Sequence, residues 1–153
     1  MYDNLLSTLR RSFALYDELV ANLTPEQLDL RLPGVRSNRL GEQLWCVVGA
    51  RESYTKAYAH GQWEGFSCSL SAEDCRDPHA IARALRTSAD LWFATFSAPE
   101  PSETARQQIP FDLLEHEARA RHVLVEVPPN AIHAVVGGSE RLPARGLPAA
   151  RHE

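Results

Sequence analysis

The stretch LGEQLWCVVGARESYTKAYAH, residues 40–60, decides the fold class. Its apolar residues recur at steps of three and four, which is the spacing of one face of an α-helix. That face carries Leu40, Leu44, Val47 or Val48, Arg51, Tyr54 and Tyr58. Ser37 or Asn38 is placed to cap the start of this helix, and Gly61 is placed to end it. The pattern therefore predicts a long helix with one charge, that of Arg51, on its buried face.

Three more segments have the helical period. The chain begins with an apolar stripe made of Leu6, Leu9, Phe13, Tyr16, Val20 and Leu23. A later stripe is made of Ile81, Leu85, Ser88, Trp92 and Phe96, with Leu91 beside it. The last segment starts near Phe111, directly after Pro110, and continues through Leu114, Glu117 and Ala118. Four segments of this kind predict an all-α fold, an up-and-down antiparallel four-helix bundle.

Two signals mark further helix starts. Thr24-Pro25 followed by Gln27 has the order of an N-cap, a proline at the first helical position and a capping glutamine. It predicts a short helix that ends at Pro33-Gly34. Asp77-Pro78 predicts the start of the third long helix by the same logic.

The stretch between the second and third long helices, residues 62–77, has no clean period and is predicted to be a loop. We expect its two aromatic side chains, Trp63 and Phe66, to fold back on the core. Cys68 and Cys75 lie seven residues apart in this loop without a second cysteine pair or a nearby histidine pair, so we expect no zinc site there.

The sequence changes character after residue 119. All twelve aromatic residues lie in the first 111 positions, whereas residues 112–153 hold four prolines and three glycines. The pentapeptide VLVEV at 123–127 alternates like a β-strand, but no partner strand is evident. We therefore predict one helical domain over residues 1–127, followed by an irregular segment over residues 128–153.

The composition limits the class of protein. A chain of 153 residues with 44% hydrophobic residues can form one domain with one core. The net charge of -4 argues against a broad basic face for nucleic acid or an anionic membrane, and no run of 18 apolar residues is present to span a bilayer. Three cysteines without framework spacing favour a reducing compartment. We expect a cytoplasmic protein with neither nucleic acid nor membrane as a partner.

Four segments resemble the DinB-like (damage-inducible) family of four-helix bundles. They are LTPEQLDLRLPG at 23–34, GEQLWCVVGARESYTKA at 41–57, WEGFSCSL at 63–70 and LLEHEAR at 113–119. The resemblance covers about the first three quarters of the chain, and GARESY with the tryptophan-containing loop is similar to one subgroup. It implies a four-helix bundle. Members of the family are often metal-binding, and some are S-transferases or isomerases that use a low-molecular-weight thiol.

The resemblance also implies a metal site. It places His116 at the first histidine of an HxxxH pair on the last helix, but the i+4 position here is Ala120. His122 lies about 240° further round the helix and cannot replace the missing ligand. The family's third ligand position corresponds approximately to Cys46, which can bind zinc as a thiolate or simply pack in the core. The expected cofactor is thus a divalent metal, zinc or nickel, with an incomplete ligand set in His116 and Cys46.

The end of the chain departs from the family. Relatives continue after the HEA segment with a stretch resembling HHGQLIRYLY, a proline-containing loop, a tryptophan and a Tyr-Leu pair. The codons implied by this chain, read one nucleotide later from about residue 120, permit His, Arg, Tyr, Leu and Trp at the family's spacing. We hypothesise that the residues from about 120 onward are a frameshift product, and the nucleotide sequence of the gene tests this.

Arg51 needs a carboxylate partner if it is buried, because buried charges must be paired. Glu117 or Glu42 can supply it. One interpretation is a structural ion pair inside the bundle. The other is a pocket between helices that is formed by Glu42, Arg51 and Glu117, with Cys46 and His116 close by, because paired buried charges also occur in active sites.

Two functions follow from these patterns. The first is a DinB-like protein related to metal- or thiol-dependent transferases, with activity that is weak or lost because the three-histidine site is not intact; its partner is a small-molecule thiol or another small substrate. The second is a non-enzymatic helical protein that binds a small molecule or a protein partner and forms a homodimer through an exposed helix face. DNA binding, which only the family name suggests, is disfavoured by the acidic balance.

Overall fold

The computed structural model describes residues 2–31, 38–96 and 104–125. Within these ranges the chain forms α-helices and one short 3-10 helix, and no strand. The helices are α1 (Tyr2–Ala21), α2 (Pro25–Leu28), α3 (Leu40–His60), α4 (Pro78–Phe96) and α5 (Thr104–Val125), and the 3-10 helix is Asp74–Arg76. The predicted all-α class is confirmed. No helix in the described ranges is both long enough and apolar enough to cross a bilayer.

The apolar stripe predicted for the first helix is buried along α1. Leu9, Phe13, Tyr16 and Val20 are all almost inaccessible to solvent. At the start of the helix Leu5 is buried, whereas Leu6 is half-buried beside it. The stripe begins one residue earlier than predicted, and otherwise the helical period identified the buried face.

The predicted capping signal at α2 is confirmed. The backbone N–H of Gln27 donates to Thr24 Oγ1 at 3.3 Å, and the backbone N–H of Thr24 donates to Gln27 Oε1 at 2.8 Å. This reciprocal pair satisfies two N–H groups that the first helical turn leaves without partners. The helix ends at Leu28, so the predicted end at Pro33-Gly34 is wrong, and those two residues themselves lie outside the described ranges.

Helix α3 begins at Leu40, so Asn38 is not its N-cap as proposed, and Ser37 lies outside the described residues. Arg39 occupies the N-cap position, where its backbone N–H donates to the carboxylate of Glu42 at 2.7 Å. This is the glutamate half of a capping box, and the side chain of Arg39 itself makes no capping hydrogen bond. The predicted end at Gly61 is confirmed, since this residue adopts the left-handed φ of 76° that favours glycine.

The predicted start of α4 is also confirmed. Asp77 Oδ1 accepts a hydrogen bond at 2.8 Å from the backbone N–H of His79, one of the groups that lack an intrahelical partner. The buried face of α4 consists of Ala80, Ile81, Leu85, Ser88, Trp92 and Phe96. Leu91, predicted to lie beside the stripe, faces solvent and is 50% exposed.

Helix α5 differs from prediction at both ends. It begins at Thr104 rather than near Phe111, and Pro110 lies inside it. A proline removes one helical hydrogen bond, but Ile109 packs on the core here and Pro110 itself is buried, so packing sustains the helix through this position.

The helix also continues through Val125, so the strand-like alternation noted at 123–127 does not mark a strand at residues 123–125. A helix satisfies its backbone groups internally, whereas a lone strand needs a partner. The proposed irregular segment over 128–153 lies outside the described residues, as does most of the proposed frameshifted region.

The four long helices pack on one another in a definite order. Helix α1 packs against α4 and α5, and α3 packs against the same two helices. The buried side chains fall into two clusters, one around Tyr16, Leu44 and Leu85, the other around Phe13 and Trp92. The interior is therefore lined by all four long helices.

The loop between α3 and α4 folds back on α3, but Trp63 and Phe66 stay at its surface, so the expectation that they pack on the core is wrong. The Phe66 ring lies 5.0 Å from that of Trp45, and the Trp63 ring lies 5.2 Å from that of Tyr54. Gly49 permits the first contact, because a Cβ at this position would lie 2.2 Å from the Phe66 ring. Two aromatic pairs thus cover the outer side of α3, with Phe66 46% and Trp63 53% exposed.

Candidate functional site

Arg51 extends from α3 into the centre of the interior. Its Nε donates to Glu117 Oε1 on α5 at 2.5 Å, and its Nη1 donates to the backbone carbonyl of Leu85 on α4 at 3.1 Å. Its guanidinium carbon lies 3.9 Å from the centroid of the Phe13 ring on α1. One side chain, with no exposed surface, therefore contacts all three of the other long helices.

Glu117 is also held in place by hydrogen bonds to residues of α1. Its second oxygen, Oε2, accepts a hydrogen bond from Ser12 Oγ at 2.7 Å. Its backbone carbonyl accepts one from the hydroxyl of Tyr16 at 2.8 Å. Both donors are on α1, so the carboxylate and main chain of Glu117 fix α5 against α1 while Arg51 fixes it against α3.

Burial is the largest influence on the pKa values of Glu117 and Tyr16. It raises the pKa of Glu117, and the positive charges of Arg51 and Arg121 and the hydrogen bonds from Arg51 and Ser12 act in the opposite direction. Burial, followed by the charge of Glu117, also raises the pKa of Tyr16. The rings of Phe13 and Tyr16 present their faces to the guanidinium, which is a favourable cation–π arrangement.

The Arg51–Glu117 pair has the properties of a structural ion pair. Neither side chain has exposed surface, so a substrate has no route to either group in this conformation. Arg51 Nη2 is buried without a hydrogen-bond partner among the described residues. The geometry supports the first of the two interpretations made for this pair from the sequence.

Glu42 does not join this pair. It lies nine residues before Arg51 on the same helix, a separation of about 13 Å along the axis. It lines a groove of about 390 Å³ with Asp29, Arg39, Cys75 and Arg76, and an adjoining recess of about 270 Å³ with Trp45 and Leu70. The pocket predicted from Glu42, Arg51 and Glu117 is thus divided between a surface groove and the sealed interior.

The two proposed metal ligands are both half-buried. Burial raises the pKa of the Cys46 thiol, and the nearby Glu42 raises it further, which disfavours the thiolate that binds metal. Burial, assisted by the charge of Arg119, lowers the pKa of His116 and favours its neutral form. The Nδ1 of this histidine is buried and has no hydrogen-bond partner in the described ranges.

These residues do not fit the three-ligand metal site that the resemblance implies. Among the described side chains no group of three or more His, Cys, Asp or Glu residues lies close enough together to hold one ion. Ala120 occupies the position at which a second histidine would share a helix face with His116. His116 therefore offers one nitrogen without the ligands that would complete a coordination shell.

The other two cysteines are also unpaired, and burial favours their protonated form. Cys68 Sγ donates to the backbone carbonyl of Trp45 at 3.5 Å, and Cys75 Sγ donates to that of Ser71 at 3.3 Å. Burial raises the pKa of Cys68 to about 11 and also raises that of Cys75. All three cysteines of the chain are free thiols. None has the lowered pKa of a nucleophilic cysteine.

A further crevice, absent from the predictions, lies between α3, α5 and the start of the loop. It has a volume of about 320 Å³ and is lined by Tyr54, Ala57, Gly61, Gln62, Trp63, Ile109 and Asp112. Trp63 lies in an aperiodic loop, and Ile109 and Asp112 belong to a helix whose start was misplaced. In the sequence, the signal for this site was Tyr54, which belongs to the predicted stripe of α3.

Comparison of the chain with protein-family models, with curated proteins and with solved structures finds no match. The resemblance to the DinB-like family therefore stays a prediction from the sequence segments that carry it.

Proposed function

We propose that this chain is a DinB-like four-helix bundle that binds a small molecule at its surface and does not use its interior charges for catalysis. The order of the elements supports the family assignment, because a short capped helix separates the first two long helices where the LTPEQL segment predicts it. The packing of α1 and α3 on both α4 and α5 supports a bundle in which α1 and α3 lie diagonally.

The observation that carries the binding proposal is the exposed aromatic pair over a concave surface. Trp63 is 53% exposed, yet its ring packs on Tyr54 at the edge of a crevice of about 320 Å³. Folding normally buries tryptophan, and a large exposed ring beside a cavity is typical of a ligand site.

His116, Glu117 and the cysteines give less support to a metal- or thiol-dependent transferase. Such an enzyme needs a metal or a base close to an accessible nucleophile. His116 lacks the neighbours for a ligand set, and Glu117, the next residue, is fully engaged with Arg51 and Ser12. Burial raises the pKa of all three thiols and so favours their protonated form.

Self-association is a weaker candidate. The exposed apolar side chains Leu15, Leu91 and Phe111 lie on three different helices, and singly scattered apolar residues are normal on monomers. A homodimer at micromolar concentration in light scattering would favour this alternative. The three free thiols agree with a reducing compartment, and we propose that the protein is cytoplasmic.

Thermal-shift screening tests the binding proposal. The library contains organic cations, organic anions, neutral aromatic compounds and low-molecular-weight thiols, and it is applied to wild type and to Trp63→Ala. We expect at least one class to raise the unfolding temperature of wild type and to lose this effect in the variant. Leu91→Ala, which removes an equally exposed side chain from α4, should retain it.

Two outcomes contradict the proposal: no compound class stabilises wild type, or the stabilisation is the same in Trp63→Ala. Trp63→Phe keeps an aromatic ring and should restore part of the shift, which separates loss of the binding surface from general damage to the loop.

A further inference from the structure

We infer that the crevice between α3 and α5 binds a small organic cation, with its charge between Asp112 and the aromatic faces of Tyr54 and Trp63. The inference rests on the proposed function, since it names the class of ligand for the same surface. The carrying observation is an aromatic pair and an unpaired carboxylate that line one cavity.

The aromatic part of the site is already assembled. The rings of Tyr54 and Trp63 lie 5.2 Å apart with an angle of 55° between their planes, and both residues line the crevice. A cation gains most when it lies within about 6 Å of such faces, and tryptophan and tyrosine are the strongest of the aromatic partners.

The carboxylate of Asp112 has no cationic partner among the described residues. Its Oδ1 accepts a hydrogen bond from Gln108 Nε2 at 3.0 Å, and this neutral amide leaves the charge in place. The negative charge of Asp112 also acts on the hydroxyl of Tyr54. Burial is the main cause of the raised pKa of Tyr54, the carboxylates of Asp112 and Glu115 raise it further, and Arg119 opposes them.

Other charged side chains lie near the crevice but do not line it. Glu115 pairs with Arg119 one turn along α5. Arg106 lies near Gly61, where its Nη2 donates to the backbone carbonyl of Ala59 at 3.3 Å and so serves the end of α3. Asp112 is therefore the charge that faces the cavity without an ionic partner in the described part of the chain.

The remaining wall sets the shape of the ligand. Ala57 and Ile109 are apolar, and the volume of about 320 Å³ is at the small end of ligand pockets. An alkyl or aryl ammonium compound matches these features, because its body lies on apolar side chains while its charge faces aspartate. Binding of an anion of the same size is disfavoured, because the negative charge of Asp112 repels it.

Isothermal titration and tryptophan fluorescence test this with choline and benzyltrimethylammonium as probes. The matched neutral probe is 3,3-dimethylbutan-1-ol, in which carbon replaces the charged nitrogen of choline. We expect both cations to bind wild type, and the neutral alcohol to bind at least about tenfold more weakly.

Two variants locate the site. Trp63→Ala and Asp112→Asn should each weaken binding of the cations by about tenfold. The controls Leu91→Ala and Asp17→Asn change an exposed leucine and an exposed aspartate on other helices and should leave binding unchanged. Circular dichroism of each variant must match wild type.

The inference is overturned if the alcohol binds as well as choline, or if Asp112→Asn binds cations as wild type does. If an anion or a neutral compound binds and Trp63→Ala abolishes it, the cation class is wrong while the proposed binding function stands. If no class in the thermal-shift screen stabilises wild type, the proposed function fails together with this inference.

Discussion

Arg51 Nε and Glu117 Oε1 lie 2.5 Å apart in the interior, where neither side chain is accessible to solvent. Removing either partner leaves the other charge buried and unpaired, so we expect Arg51→Met and Glu117→Leu each to lower the free energy of unfolding by about 3–5 kcal/mol. The double variant should lose much less than the sum, because an apolar pair leaves no orphan charge. Urea denaturation measures all three.

An exposed pair on the same helix provides the control. Glu115 and Arg119 form an ion pair whose side chains are both largely exposed. Substitution of Arg119 by alanine should change stability far less than either interior variant. Equal losses from the two pairs, or additive losses in the double variant, would show that desolvation of Arg51 and Glu117 is not the governing effect.

His116 should make stability depend on pH below neutrality. Burial and Arg119 lower its pKa in the folded protein below the usual 6.5, so the unfolded chain takes up the proton more readily. The stability associated with this residue is present above pH 6.5 and is lost as the pH falls from 6.5 through the folded-state pKa. Denaturation of wild type and His116→Asn between pH 7.5 and 5 measures the difference.

The variant should lose less stability than wild type on acidification, because asparagine does not titrate. His79→Asn, at an exposed position near the start of α4, serves as the control and should keep the wild-type slope. Parallel curves for wild type and His116→Asn would mean that His116 is as accessible to protons in the folded chain as in the unfolded one.

Zinc and nickel should have little effect on the folded protein. Because the described residues bring together no group of three ligands, we expect neither ion, nor a chelator, to change the unfolding temperature. Thermal denaturation with each ion and with EDTA makes the comparison. Stoichiometric metal in purified protein, removed by His116→Ala, would instead favour the metal site that the family resemblance implies.

Gly41 and Gly49, eight residues apart on α3, should respond differently to alanine. A Cβ at position 41 would lie 2.0 Å from the backbone oxygen of Cys75, whereas one at position 49 would meet the Phe66 ring at 2.2 Å. Backbone yields less than a half-exposed side chain. We expect Gly41→Ala to destabilise by about 1–3 kcal/mol.

Gly49→Ala should be close to neutral, because the gain of up to about 1 kcal/mol in helix propensity offsets the displacement of the ring. The displacement itself should appear as a change in the near-ultraviolet spectrum of Trp45, which packs on Phe66. Similar losses in both variants would contradict the distinction between a rigid and a movable neighbour.

The sequence predicted the interior of this protein well where one helix decides the outcome. The stripe of α3 identified Arg51 as buried, and the cost of an unpaired charge required a carboxylate. The sequence alone left both Glu42 and Glu117 as possible partners of Arg51. Contact between Glu42 and Arg51 is already disfavoured, because the two residues are far apart along the axis of one straight helix. Choosing Glu117 requires the position of α5 relative to α3, which no local pattern contains.

The errors occurred where a strong local signal was overridden by packing. Pro110 has the character of a first helical residue, yet α5 extends six residues before it because Ile109 packs on the core. The crevice was missed for a related reason: Trp63 has no period to place it, and its contact with Tyr54 depends on how the loop returns over α3.

The position of Arg51 has a consequence for how the chain acquires its structure. A partly assembled intermediate that lacks α5 buries a guanidinium without its counter-ion, and one that lacks α1 removes both the aromatic faces beside it and the hydroxyl that completes the solvation of Glu117. A subset of the long helices that contains only one of α3 and α5 leaves one charge of this pair without its partner. The domain is thereby driven toward all-or-none folding, with the four helices committing together rather than docking in succession.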